Sequence, residues 1–135
     1  MKTSYMLDTD TCSYIIRGTR DELTRRVKRH KNQLCMSSIT LAELLFGAAR
    51  RGSPRLTEAV ALLQQLVTVV PWTEEAAGQY ALIRRELEGA GSPMGNMDML
   101  IAAAAKSEKS CLVTNNTAHF SRVGDLRIEN WLAST

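Results

Sequence analysis

The chain has 135 residues, 44% of them apolar, with 17 Lys and Arg against 14 Asp and Glu for a net charge of +3. That length suits one domain that buries roughly two thirds of the surface its unfolded form would expose, so a disulfide framework is not needed. Its three cysteines, Cys12, Cys35 and Cys111, are odd in number and far apart, which excludes a paired scaffold and reads as reduced thiols in or near a core.

The N-terminus lacks the basic-then-apolar signature of a secretory signal, and no apolar run approaches the roughly 18 residues of a membrane span. The expectation is a cytoplasmic protein with no membrane association. No repeat, low-complexity tract or linker divides the sequence, so residues 1–135 read as a single domain.

Tyr5-Met6-Leu7 is a short apolar run of strand character that stops at Asp8-Thr9-Asp10, residues that favour turns and helix N-caps. A short helix capped within Thr9 to Thr11 follows, carries Cys12, Tyr14, Ile15 and Ile16, and ends at Gly18. Asp21 to His30 forms an amphipathic helix with Leu23 and Val27 inward. Gln33-Leu34-Cys35-Met36 is the second strand, closed by Ser37-Ser38, and Thr40-Leu41-Ala42-Glu43 opens the next helix. Ser53-Pro54 starts another, with Leu56, Val60, Leu63 and Val67 at helical spacing.

Val67 to Pro71 gives a third strand, and Thr73 caps a helix whose stripe is Ala76, Tyr80, Ile83 and Leu87. These last two helices are expected to form a hairpin against the sheet or a partner. Asn96 is the expected N-cap of a helix through the alanines 102–105, which allow close approach to a sheet. Ser110 to Thr114 is a strand ending at Asn115-Asn116, and a last strand lies near Leu126 to Ile128, after a turn. Strands alternating with helices predict an α/β fold with a mostly parallel sheet of about five short strands and helices on both faces.

Three acids fall at equivalent places: Asp8 at the first strand's end, Glu43 and Asp98 near the starts of helices. In an open α/β sheet these places converge on the carboxyl edge, where ligands bind. Three carboxylates in one crevice repel one another unless a cation neutralises them. Oxygen donors with few histidines favour Mg²⁺, with Mn²⁺ as a substitute, over zinc.

Each acid also has an innocent role. Asp8 can cap a helix, Glu43 completes a capping box with Thr40, and Asp98 suits a helix dipole. The basic run from Arg17 to Lys31, with Arg25, Arg26, Lys28 and Arg29 at its centre, is either a solvated helix face or a phosphate-tracking surface. His30 reads as part of that face. The glycines at 89, 91 and 95 follow a helix and match neither a dinucleotide loop nor a P-loop.

Met6-Leu7-Asp8-Thr9-Asp10, Ser37 through Ala48, Asp98-Met99-Leu100-Ile101-Ala102-Ala103 and Val113-Thr114-Asn115-Asn116 resemble, in order, the blocks of the PIN-domain ribonucleases. The VapC toxins of toxin–antitoxin pairs are matched especially well. The resemblance spans nearly the whole chain, including Phe120-Ser121-Arg122-Val123. It implies the three-layer PIN-like fold and a Mg²⁺-dependent endoribonuclease with Asp8, Glu43 and Asp98 as catalytic and metal-binding acids.

Thr9, Ser38 and Asn116 are second candidates, and Arg25, Arg26, Lys28 and Arg29 would grip RNA. The family's fourth acidic place falls on Asn116, and the position three further on, where relatives often carry an acid, is His119. The resemblance further implies a tRNA substrate, initiator tRNA above all, a VapB-type antitoxin that covers the site, and a homodimer that forms a hetero-oligomer with that antitoxin. Two other classes compete. A signalling receiver would need a phosphoacceptor aspartate where Val69-Val70-Pro71-Trp72 stands. A catalytically weak nuclease fold that only binds RNA or protein would be marked by loss of one of the three acids, and all three are present.

Overall fold

Three residues of extended apolar chain, β1 (Tyr5–Leu7), occupy the middle of a five-stranded sheet in a computed structural model that describes residues 3–132. In chain order there follow α1 (Thr9–Arg17), α2 (Asp21–Arg29), β2 (Leu34–Ser37), α3 (Ser38–Arg51), α4 (Pro54–Leu66) and β3 (Thr68–Val70). The second half contains α5 (Glu74–Gly89), α6 (Asn96–Ser107), β4 (Cys111–Val113), α7 (Thr117–Phe120) and β5 (Ile128–Glu129). The strand order is β3-β2-β1-β4-β5 and every pairing is parallel. The chain therefore leaves β1 toward β2 on one side and reaches β4 on the other, which makes the carboxyl ends of β1 and β4 the switch point of the sheet.

Alternate side chains divide the core into two layers, as the pleat requires. Met6, Cys35 and Leu112 face α5, α6 and α7, where they meet Ile83, Leu87, Ile101 and Phe120. Leu7, Met36 and Val113 face α1 to α4, where they meet Cys12, Leu23, Leu44, Val60 and Trp131. Each fully buried aliphatic or aromatic side chain contributes about 1.5–3 kcal/mol. Ala102, Ala103, Ala104 and Ala105 are all buried, so α6 lies close to the sheet, which fixes the position of its first turn.

Helix ends follow local chemistry. Gly18 takes φ +68 and closes α1 with its N–H on Tyr14 and Ile15 carbonyls, a left-handed conformation that glycine adopts without strain. Ser53 caps α4 through the Leu56 N–H at 3.1 Å, and Thr73 caps α5 through the Ala76 N–H at 3.2 Å.

Several expectations are corrected. α4 and α5 do not pair as a hairpin, because β3 joins the sheet edge between them and sends the two helices to opposite faces. α3 starts at Ser38 with Ser37 as its cap, two residues before the expected opening. α6 is capped by Gly95 rather than Asn96, and the turn after β4 contains the short helix α7. His30 is not a member of an exposed basic face. Its ring stacks on Trp131 with centroids 4.9 Å apart and lies 4.5 Å from Tyr5.

Trp131 closes one core layer at 1% exposure and donates its indole N–H to Glu129 at 2.9 Å. Trp131→Ala should cost roughly 3–5 kcal/mol of unfolding free energy in urea titrations followed by circular dichroism. A loss below about 1 kcal/mol, the size expected of a surface change, would contradict this packing.

Candidate active site

The end of β1 carries Asp8, whose backbone N–H still belongs to the sheet edge through Val113 O at 3.1 Å. Its extended backbone makes it the N-cap of α1, and Oδ1 accepts the Thr11 N–H at 2.8 Å. The innocent role of a cap is thus real for Asp8, yet it leaves much unexplained. The side chain is 6% exposed and has no cationic partner among the described residues. Burial lifts its carboxyl above the ordinary carboxylate range, against hydrogen bonds from Thr114 and Thr11 that act the other way, and Asp10 adds to the lift.

Thr114 adjoins Asp8, a position to which the sequence pattern alone does not point. Its hydroxyl is fully buried, bonds to Asp8 and accepts the Asn116 N–H at 3.0 Å. It ties the end of β4 to the end of β1. Once the strand order is known, a threonine that directly follows an apolar strand adjoining β1 has its hydroxyl at the same edge.

Glu43 comes from the second turn of α3. With Ser37 as the cap and its Oγ on the Ile39 N–H at 3.1 Å, position 43 is too far along the helix to close a capping box. The carboxylate instead accepts the Thr9 hydroxyl at 2.5 Å. Thr9 is the residue after Asp8, so this bond draws Glu43 to the tip of β1.

Asp98 sits in the first turn of α6. That helix feeds the start of β4, so its N-terminus lies at the carboxyl edge of the sheet with Asp8 and Glu43. Oδ2 pairs with His119 Nε2 at 2.9 Å, and the side chain is 45% exposed. Each carboxylate is held by its own neutral or imidazole partner. Among the described residues no three His, Cys, Asp or Glu side chains stand close enough together to share one metal ion.

The other candidates divide. Thr9 belongs to the site through Glu43. Asn116 is exposed at the start of α7 and makes no side-chain cap bond. Ser38 is engaged elsewhere, where its Oγ accepts the Trp72 N–H at 3.1 Å and anchors the chain after β3. The basic helix α2 leads within a few residues into the start of β2, so Lys28 and Arg29 end near the edge of the sheet opposite the site. Glu22 takes Arg25 at 2.6 Å and Arg26 at 2.9 Å, so one carboxylate engages two of the four basic side chains and offsets one of their charges.

A different set of guanidiniums shares a groove with Glu43. Arg17, Arg50 and Arg51 line a groove of about 180 Å³ together with Thr9 and Glu43. None of the three makes an ion pair among the described residues. They stand at the C-terminal ends of α1 and α3, a convergence that only the fold reveals. The cysteines play no part in the site. All three are buried, and burial pushes Cys35 and Cys111 to about 11 and Cys12 higher still.

The chemistry of the donors, oxygen throughout, fits a hard divalent cation, although as they stand the three acids are too far apart to share one ion. The three acids are oxygen donors gathered at one edge, and one of them is a buried carboxylate without a countercharge, the situation a bound cation relieves. Asp8, Glu43 and Asp98 are the residues that could hold it.

Comparisons with known proteins place the fold in a family. The PIN domain model matches residues 5–126. The chain is 37% identical over 130 residues to the tRNA(fMet)-specific endonuclease VapC of Shigella flexneri, covering 94% of this chain and 97% of that protein. It is 38% identical over 130 residues to Ribonuclease VapC2 of Haemophilus influenzae, with 95% and 98% covered. Among solved structures, VapBC2 from Rickettsia felis bound to a promoter DNA fragment superposes with a TM-score of 0.90 at 32% identity, over 96% of this chain and 99% of that one. The chain belongs to the PIN-domain family, within its VapC branch.

Proposed function

We propose that this protein is a metal-dependent endoribonuclease toxin that hydrolyses phosphodiester bonds of transfer RNA, initiator tRNA first among them. The observation that carries the reading is the buried, uncompensated Asp8 at the switch point of a PIN fold, with Glu43 and Asp98 brought to the same edge. The tRNA assignment draws on similarity to proteins named tRNA(fMet)-specific endonucleases. The whole chain, residues 1–135, acts as one nuclease domain in the cytoplasm, and no described helix is long and apolar enough to cross a membrane.

A Mg²⁺ or Mn²⁺ ion bound by the acids would polarise a phosphodiester oxygen and make an attacking water more acidic. The residues of the chain supply the rest. Asp8, oriented by Thr11 and Thr114, and Asp98 provide the principal donors. Glu43, held by Thr9, lies beside them and orients the water. Asn116 offers a neutral amide oxygen at the rim, so the pocket carries three acids rather than four. Arg17, Arg50 and Arg51 line the adjoining groove and receive the RNA backbone there.

Exposed Leu45 and Phe46 on α3 and Leu62 and Leu66 on α4 leave apolar surface beside the groove, the kind of surface a protein partner covers. Similar structures include complexes named as VapBC. A VapB-type antitoxin is the partner, and the toxin pairs as a homodimer within a larger hetero-oligomer.

Incubation with a total tRNA fraction and mapping of the new ends tests the activity. Cleavage should require Mg²⁺ or Mn²⁺, stop on chelation, and fall at least 100-fold in Asp8→Asn, Glu43→Gln and Asp98→Asn, the size expected when a metal site is broken. Full activity in Glu43→Gln would remove Glu43 from the site.

The salt dependence of RNA binding separates the two basic surfaces. Replacing Arg17, Arg50 and Arg51 with glutamine should flatten the log–log salt slope by roughly 0.7–0.9 per lost phosphate contact. The Arg25, Arg26, Lys28 and Arg29 quadruple variant should change it less. The reverse ranking would return the grip on RNA to α2.

A further inference from the structure

His119 and Arg122 lie outside the acid set, and their contacts interlock with it. Arg122 uses all of its nitrogens. Nε donates to the His119 carbonyl at 3.1 Å. One terminal nitrogen donates to Ser92 O at 3.2 Å, Ser92 Oγ at 2.6 Å and Pro93 O at 3.1 Å. The other lies 2.9 Å from His119 Nδ1. Ser92 and Pro93 belong to the loop that leads into α6, so one guanidinium joins the segment after β4 to the segment that delivers Asp98.

A guanidinium can only donate, because it stays protonated in proteins. His119 Nδ1 must therefore be the accepting, unprotonated nitrogen. The ring proton then sits on Nε2, and that N–H donates to Asp98 Oδ2 at 2.9 Å. A nitrogen in that state has no free lone pair, so His119 is not placed to ligate a metal. It can fix the direction of a carboxylate. With Oδ2 taken, Asp98 keeps Oδ1 free on a side chain that is still 45% exposed.

We infer that His119 is a positioning residue for Asp98, held in the required tautomer by Arg122, so that one carboxylate oxygen is pinned and the other is presented to the cation and the RNA phosphate. The inference rests on the nuclease reading above. It assigns the histidine the hydrogen-bonding role that outer partners of metal-binding carboxylates play, where substitution weakens metal affinity or activity roughly 10–100-fold.

Calorimetric titration of RNA-free protein with Mn²⁺, alongside kcat and KM on tRNA, tests it. His119→Ala should weaken Mn²⁺ binding at least about 10-fold and lower kcat with KM for RNA unchanged. His119→Gln, whose amide N–H can still donate to Asp98, should restore most of both. Urea midpoints show that each variant is folded. Nitrogen-15 spectra of the imidazole should show the Nε2–H tautomer in the wild type and a mixture of tautomers in Arg122→Leu.

Wild-type Mn²⁺ affinity and kcat in His119→Ala, or an Nδ1–H tautomer in the wild type, would overturn the inference. So would His119→Gln behaving as poorly as His119→Ala, the pattern of a ligating imidazole. Asp98→Asn separates the two levels. If that variant cleaves RNA normally, the nuclease reading of the site fails, whereas an inactive Asp98→Asn beside an unimpaired His119→Ala overturns the positioning role alone.

Discussion

A carboxylate at the end of a buried parallel strand, with no positive side chain among the described residues to answer it, is the constraint on which the rest of this molecule depends. Asp8 accepts the Thr11 backbone N–H and has the Thr114 hydroxyl beside it, which serve its hydrogen-bonding needs and leave its charge uncompensated. Desolvation of a charge is expensive, and a fold optimised only for stability would place an asparagine there, which caps a helix equally well. An acid at this position therefore costs the fold stability that a bound cation would return. The geometry around it serves the same end, because the site elements all deliver their residues to the carboxyl edge beside β1.

The positions of those elements follow from small, unreactive residues as much as from the acids. Four successive buried alanines bring α6 down onto the sheet, which sets where its first turn and Asp98 stand. Thr9 and Thr114, on either side of Asp8 in space, act as hydroxyl bridges to Glu43 and to the backbone of Asn116. Arg122 performs the equivalent service from the far side of Asp98. Each of the three acids is thus held by its own hydrogen-bond partner, Asp8 by Thr11, Glu43 by Thr9 and Asp98 by His119, without direct contact between carboxylates.

How much of this was legible in the sequence depends on the range of the interaction. The strand ends, the Ser53 and Thr73 caps and the parallel sheet follow from local patterning, and so does the placement of Asp8 and Asp98 at element boundaries. Glu43 shows where that reasoning stops. A capping box and a site residue look identical until the helix start is known, and with Ser37 as the cap Glu43 stands too far along α3 to close such a box. The stacking of His30 on Trp131 and the groove shared by Arg17, Arg50 and Arg51 join residues distant in sequence. No periodicity encodes them. The expected pairing of α4 with α5 failed for the same reason, since only the sheet order tells which face a crossover helix takes.

Unfolding free energy as a function of pH, for the wild type and Asp8→Asn with and without Mg²⁺, tests the central claim most directly. Because burial raises the folded-state pKa of Asp8, the folded protein holds this proton more tightly than the unfolded chain does. Stability should therefore fall as pH rises from the unfolded value through the folded one. Without divalent ions, Asp8→Asn should be the more stable form at neutral pH, the difference closing as pH drops below the ordinary aspartate range. Mg²⁺ should stabilise the wild type and leave the variant unchanged. A less stable Asp8→Asn at neutral pH without divalent ions, or equal stabilisation of both forms by Mg²⁺, would show that Asp8 serves the fold and not a cation.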